Sequence, residues 1–160
     1  MEKTRVLIAD DNREFCEILS KFLSREGEFE VVGIAKDGLE ALDKIKEERI
    51  DILILDIIMP HLDGLAVLEA IHALELNKTP KIVVLSAVGQ DQITQKAIEL
   101  GADYYVVKPF DFNIFIKRLK QISGASDKEP MTPKRDYVKI PKPDGRMNID
   151  MTKSLEARIT

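Results

Sequence analysis

Short apolar runs alternate with amphipathic segments five times along the first 122 residues of this sequence. The runs cover residues 6–9, 29–35, 50–55, 82–85 and 104–107 and are rich in Val and Ile. They are apolar at most successive positions, where a strand with one wet face would alternate, so each is a strand whose two faces must both be covered. The segments between them repeat at helical spacing. Examples are Phe15, Ile18, Leu19, Phe22 and Leu23 in the first, and Phe112, Phe115, Ile116 and Leu119 in the last. A strand that returns parallel to its predecessor needs a crossover, and a helix is its usual form. The alternation therefore predicts an α/β domain, a doubly wound, five-stranded parallel sheet in the order 2-1-3-4-5, with its ligand crevice at the carboxyl ends of the strands.

Beyond Ile122 the pattern stops. Residues 123–147 hold four prolines, from Pro130 to Pro143, and little periodicity, which predicts a linker. Residues 148–160 regain helix-forming character around Ile149, Leu155 and Ile159 and read as the start of a further helical domain. The expected organisation is thus 1–122 as the folded domain, 123–147 as linker and 148–160 as the beginning of an effector.

Charge and cysteine content narrow the function classes. Residues 1–122 carry 16 basic and 22 acidic side chains, net −6, and residues 123–160 carry 8 and 6, net +2. A mildly acidic body lacks the concentrated Lys/Arg face of a nucleic-acid clamp. No apolar run approaches the roughly 20 residues that cross a bilayer, and the N-terminus lacks the apolar stretch of a signal peptide. Cys16, the sole cysteine, has no partner within the chain for a disulfide. A cytoplasmic protein without membrane contact is expected.

The polar residues at the strand ends carry the chemistry. Asp10 and Asp11 follow the first run, Asp56 closes the third, Ser86 the fourth and Lys108 the fifth. In the anticipated fold these ends meet. Three carboxylates about 4 Å apart repel by about 4 kcal/mol per pair at an effective dielectric near 20, so a cation belongs among them. A hard, oxygen-liganded ion of the Mg²⁺ type suits the set, and no Cys/His group competes for a softer metal. With Lys108 opposite, the crevice would hold an anion. Asp56 is the best-placed nucleophile toward phosphorus, because the Pro60 and Asp63-Gly64 turn follows it directly. His61 and His72 are expected on the surface and not as phosphate carriers.

The runs "ADDN", "LILDIIMPHLDG", "VVLSA" and "GADYYVVKPF", in this order and across about residues 4–122, resemble the receiver domain of bacterial two-component response regulators. The resemblance implies a flavodoxin-like receiver fold in which Asp56 accepts phosphate from a histidine kinase or histidine phosphotransferase. It implies Mg²⁺, with Mn²⁺ or Ca²⁺ as substitutes, held by Asp11, Asp56 and the Ile58 carbonyl, and by Asp10 through water. Ser86 and Lys108 would contact the phosphoryl oxygens, Tyr105 would swing inward as Ser86 moves, and the Lys108-Pro109 bond would be cis. Ile58 and Val88 flank the water path and are apolar, so self-dephosphorylation is expected to be slow. Such a domain is a self-phosphorylating acceptor, not an enzyme with a separate substrate. Partners would be the phosphodonor, a phosphatase and a second copy that joins on phosphorylation at the face of the fourth helix, fifth strand and fifth helix.

Within the family, "DIIMPHLDGLAVLE" and the terminal "SLEARIT" resemble regulators of sporulation transcription, in which DNA is bound through a C-terminal domain that this sequence does not complete. A stand-alone receiver, acting as a phosphorelay intermediate or a protein-binding adaptor without DNA, is the alternative.

Overall fold

Strand β1 (Thr4–Ala9) is buried from Val6 onward, with no exposure at Val6, Leu7, Ile8 or Ala9. In the computed structural model, which describes residues 2–74, 76, 78–123 and 138–139, this strand lies inside the sheet. Helix α1 (Arg13–Arg25) follows, then β2 (Phe29–Ala35), α2 (Gly38–Glu47), β3 (Ile52–Asp56), α3 (Gly64–Ala73), β4 (Lys81–Ala87), α4 (Asp91–Glu99), β5 (Tyr104–Lys108), α5 (Phe112–Ser123) and β6 (Val138–Lys139). The first five strands are parallel and ordered β2-β1-β3-β4-β5, as expected.

The absence of polar alternation is explained by two separate cores. Leu7, Leu53, Leu55, Val84 and Val107 point to one face and pack against Leu42 and Ile45 of α2, Val67 and Leu68 of α3, and Ala97 and Ile98 of α4. Val6, Ile8, Ile52, Ile54, Val83 and Val106 point to the other and pack against Cys16, Leu19 and Leu23 of α1 and Phe115, Ile116 and Leu119 of α5. Each strand alternates between the two cores with period two, so both halves of the alternation must be apolar.

The helices begin where short polar side chains follow the strands. Asn12 caps α1 by accepting from the Phe15 N–H, Asp37 caps α2 through Glu40, and Asp63 caps α3 through Ala66. These caps satisfy donors that a helix start leaves open. Helix α4 has no such side-chain cap; the Gln90 side chain instead accepts the Ala87 N–H at 2.8 Å.

The structure departs from the sequence expectation at several borders. The third strand begins at Ile52, because Asp51 turns its carboxylate to the Arg5 N–H at 2.8 Å. The fourth extends to Ala87, which puts Ser86 within the strand. Helix α5 reaches Ser123, one residue past the anticipated boundary. Part of the anticipated 123–147 linker is a strand: Val138 and Lys139 pair antiparallel with Tyr105 and Tyr104. A two-residue strand has no periodicity to read, and it is seen only through its pairing with the outer edge of β5. The remainder of 124–147 and the anticipated effector start at 148–160 lie outside the described residues.

Candidate functional site

Parallel strands end on the same edge, and the register brings their last residues together. Ala9 stands beside Leu55, Asp56 beside Leu85, and Ser86 beside Val107. Just past these ends, one carboxylate oxygen from each of Asp10, Asp11 and Asp56 falls within 4.8 Å of the others. Asp10 is buried, Asp56 partly buried and Asp11 exposed, so the cluster opens outward on the Asp11 side.

Each buried carboxylate is held in place. One Asp10 oxygen accepts the Asn12 N–H at 2.9 Å, and the other accepts from the Lys108 ammonium at 2.6 Å. Asp56 Oδ1 accepts the Ile58 N–H at 3.3 Å, and Lys108 Nζ lies 3.9 Å from Asp56 Oδ2. One ammonium thus stands against three carboxylates. Removal from water, followed by the repulsion of Asp10, pushes the Asp56 carboxyl up to about 7, against the pull of Lys108. The surplus negative charge, the all-oxygen donor set and the open Asp11 side fit a hard divalent cation, with Asp10, Asp11 and Asp56 as its holders. Ile58, whose carbonyl the resemblance makes a ligand, lies two residues past Asp56 on the loop that follows β3.

Ser86 is 3% exposed, and its hydroxyl has no hydrogen-bond partner among the described residues. A buried hydroxyl normally finds a partner, so an unpaired one at this crevice marks a place for an oxygen-rich ligand. The Lys108-Pro109 bond is cis, as anticipated. Tyr105 lies fully inside the protein, packed with the α2–α4 core. Ile58 and Val88 are exposed at the crevice rim, at 48% and 65%.

Three features escaped the sequence reading. Gly64 lies so close beneath Asp56 that a Cβ there would come within 2.5 Å of the Asp56 carbonyl oxygen and 2.7 Å of the Ile57 Cα. Its N–H bonds to the Ile57 carbonyl at 2.8 Å, which sets the start of α3 against the loop after Asp56. The Asp63-Gly64 pair had signalled a turn, but not this contact. The second is a clamp on the same loop. His61, at φ 65°, bonds through Nδ1 to Asp37 Oδ2 at 2.9 Å, and the Gly38 N–H bonds to the Leu62 carbonyl at 3.0 Å. Hydrogen bonds from the Glu40 N–H and from His61 hold the Asp37 carboxyl below the usual range. His61 is a surface residue as expected, with a structural bond that its sequence neighbours do not announce. The third is Phe15, whose ring lies against Lys108. Cys16 donates its S–H to the Asp10 carbonyl, and burial pushes the thiol up to about 12, which keeps it an inert packing group.

Comparison with known proteins defines the class. Residues 6–120 match the family model of the response regulator receiver domain, and the chain belongs to that family. Among solved structures it resembles the signal receiver domain of the NarL response regulator from Mycobacterium tuberculosis, at 32% identity and a TM-score of 0.71, over 78% of this chain and 99% of that one. A response regulator from Chloroflexus aurantiacus is also 32% identical, with a TM-score of 0.70, over 78% and 100% of the two chains. A CheY-like receiver domain protein from Methanospirillum hungatei is 26% identical, with a TM-score of 0.69, over 79% and 98%. No helix among the described residues is long and apolar enough to cross a membrane.

Proposed function

We propose that Asp56 accepts a phosphoryl group from the phosphohistidine of a histidine kinase or histidine phosphotransferase and thereby switches the domain. The observation that carries this reading is the placement at the same strand ends as Asp56 of a buried Ser86 hydroxyl with no hydrogen-bond partner among the described residues and of the Lys108 ammonium. An Asp56 oxygen forms the new bond to phosphorus as the P–N bond breaks, and the electron pair of that bond leaves on the imidazole nitrogen. Lys108 and Ser86 meet the phosphoryl oxygens, Lys108 as a charge-assisted donor. Mg²⁺, or Mn²⁺ or Ca²⁺ in its place, when held by Asp10, Asp11 and Asp56, supplies positive charge that keeps Asp56 ionised and offsets charge on the transferring group. The domain thus promotes its own phosphorylation and is not an enzyme acting on a separate substrate.

Moving a two-state domain from mostly off to mostly on takes about 5.5 kcal/mol of preference for one state. New charge-assisted bonds at Lys108 and a hydrogen bond at Ser86 contribute to that preference. Hydrolysis of the acyl phosphate is slow, because the side chains of Ile58 and Val88 at the rim have no polar atom with which to orient a water. We assign the output to sporulation transcription in the cytoplasm, through a homodimer formed on phosphorylation and a DNA-binding domain beyond the receiver, with a phosphatase resetting the signal. This assignment rests on the runs "DIIMPHLDGLAVLE" and "SLEARIT".

Intact mass after incubation with Mg²⁺ and phosphoramidate tests the reading. The parent is expected to gain the mass of one phosphoryl group, and Asp56→Asn and a metal-free parent are expected to gain none. The adduct should then decay more slowly in the parent than in a variant with Ile58→Asn and Val88→Asn. A parent that gains no mass would overturn the phosphoacceptor assignment, and an equal decay would overturn the account of its lifetime.

A further inference from the structure

The Lys108 ammonium has a third neighbour besides Asp10 and Asp56. It sits 4.3 Å from the centroid of the Phe15 ring. That ring is placed by the first turn of α1, where the Phe15 N–H is bound by the capping Asn12 side chain at 3.0 Å. It is also braced edge-on by Phe110 at 6.0 Å and by Phe112 at 5.7 Å, and Phe112 is braced in turn by Phe22 at 5.1 Å. Two aromatic rings thus brace the one that faces the cation, and Phe22 lies one ring further out.

A lysine stem has four rotatable bonds and its ammonium prefers water, so holding it in a crevice requires a specific attraction. Lys108 is still 26% exposed along its side chain and has a route out. Asp10 attracts it, but a carboxylate competes with incoming phosphoryl oxygens for the same protons. An aromatic face attracts the ammonium through its quadrupole and takes up none of those hydrogen bonds. The donors therefore stay available to phosphoryl oxygens arriving at Asp56.

We propose that Phe15 is a positioning residue for phosphoryl transfer, its ring face keeping the Lys108 ammonium inside the crevice with its N–H groups directed to the oxygens of the incoming group. The proposal rests on the phosphoacceptor reading of Asp56. Phe15→Leu keeps an apolar side chain and removes the ring face, whereas Phe15→Tyr keeps the face. Phe22→Leu thins the same aromatic cluster without touching Phe15 or Lys108.

The test combines phosphorylation rates with phosphoramidate and Mg²⁺, followed by intact mass, and NMR of protein labelled in its lysines. Phe15→Leu is expected to slow phosphorylation about three- to tenfold, the range that a cation–π contact of ordinary strength commands. Phe15→Tyr and Phe22→Leu are expected to remain near the parent rate. The ε-CH₂ signal of Lys108 is expected to show an upfield ring-current displacement in the parent and in Phe15→Tyr, and to lose it in Phe15→Leu. A Phe15→Leu rate equal to a normally phosphorylated parent would overturn this proposal alone. So would an undisplaced Lys108 signal in the parent, or a matching slowdown in Phe22→Leu. A parent that takes up no phosphoryl group would overturn the phosphoacceptor reading and this proposal with it.

Discussion

The two ends of the sheet are both rich in charge and use it in opposite ways. At the amino ends, Arg5, Lys44, Arg49 and Lys78 face Glu2, Glu30, Glu48 and Asp51 in short ion pairs, from Arg5–Glu48 at 2.8 Å to Arg5–Glu30 at 3.7 Å. Four cations meet four anions, mostly toward solvent. At the carboxyl ends, Lys108 is the one cation among the described residues that pairs with the cluster of Asp10, Asp11 and Asp56, through Asp10 and Asp56. The balanced end is electrically complete. The unbalanced end is complete only with a cation and an anion from outside, and the difference marks where function sits without any appeal to a pocket. The distinction also predicts different costs for altering each end.

The largest effect is expected at Gly64, because the carboxyl end is built on backbone contact. Gly64→Ala places a Cβ against the Asp56 carbonyl and the Ile57 Cα, where no side-chain rotation relieves it. We expect a loss of about 3 kcal/mol in chemical denaturation, at the upper end of overpacking. A loss below about 1 kcal/mol would show that the close approach is soft, and would remove one ground for treating this end as rigid.

A smaller effect, with a definite pH signature, is expected for Asp56→Asn in metal-free buffer. The Asp56 carboxyl rises from about 4 in the unfolded chain to about 7 in the folded one, through burial and then the charge of Asp10. Between those values the folded state holds a proton that the unfolded state has released. The parent therefore loses stability as pH rises through this window, with the loss complete above the folded value. Asparagine has nothing to ionise. The variant should melt several degrees above the parent at pH 8, and the gap should shrink toward pH 4. Added Mg²⁺ should raise the parent's melting temperature and leave the variant's nearly unchanged. A gap independent of pH would mean that unpaired charge is not what distinguishes the two ends.

The smallest effect belongs to the balanced end. Arg49→Gln removes ion pairs to Glu2 and Asp51 from a half-exposed side chain. The cost in denaturation should stay below about 1 kcal/mol, and phosphorylation by phosphoramidate should proceed at the parent rate. A changed rate would show that the ends are coupled through the sheet.

Much of the carboxyl end was legible in advance. Asp10, Asp11, Asp56, Ser86 and Lys108 each stand at or just past an apolar run, and a parallel sheet brings such ends to one edge. What escaped were contacts between segments far apart in the chain. Phe15 looked like one more apolar position on an amphipathic helix, and nothing in its neighbours shows that its ring would meet a cation 93 positions later. His61 and Asp37 lie in different loops and meet only because α2 and α3 pack side by side. The pairing of Val138–Lys139 with β5 has no local pattern behind it, since any extended segment can satisfy an open strand edge.

The sequence by itself determined the kinds of element, their order and the residue types at the strand ends. Hydrophobic periodicity, capping side chains and turn residues are local properties, and they act before any distant contact forms. Only the tertiary structure decided the charge state of Asp56, the unpaired condition of the Ser86 hydroxyl, the closeness of Gly64 to Asp56 and the ring against Lys108. Those depend on burial and on distances of a few ångströms between segments, and desolvation and electrostatic strength are properties of the assembled surroundings and not of a residue's name.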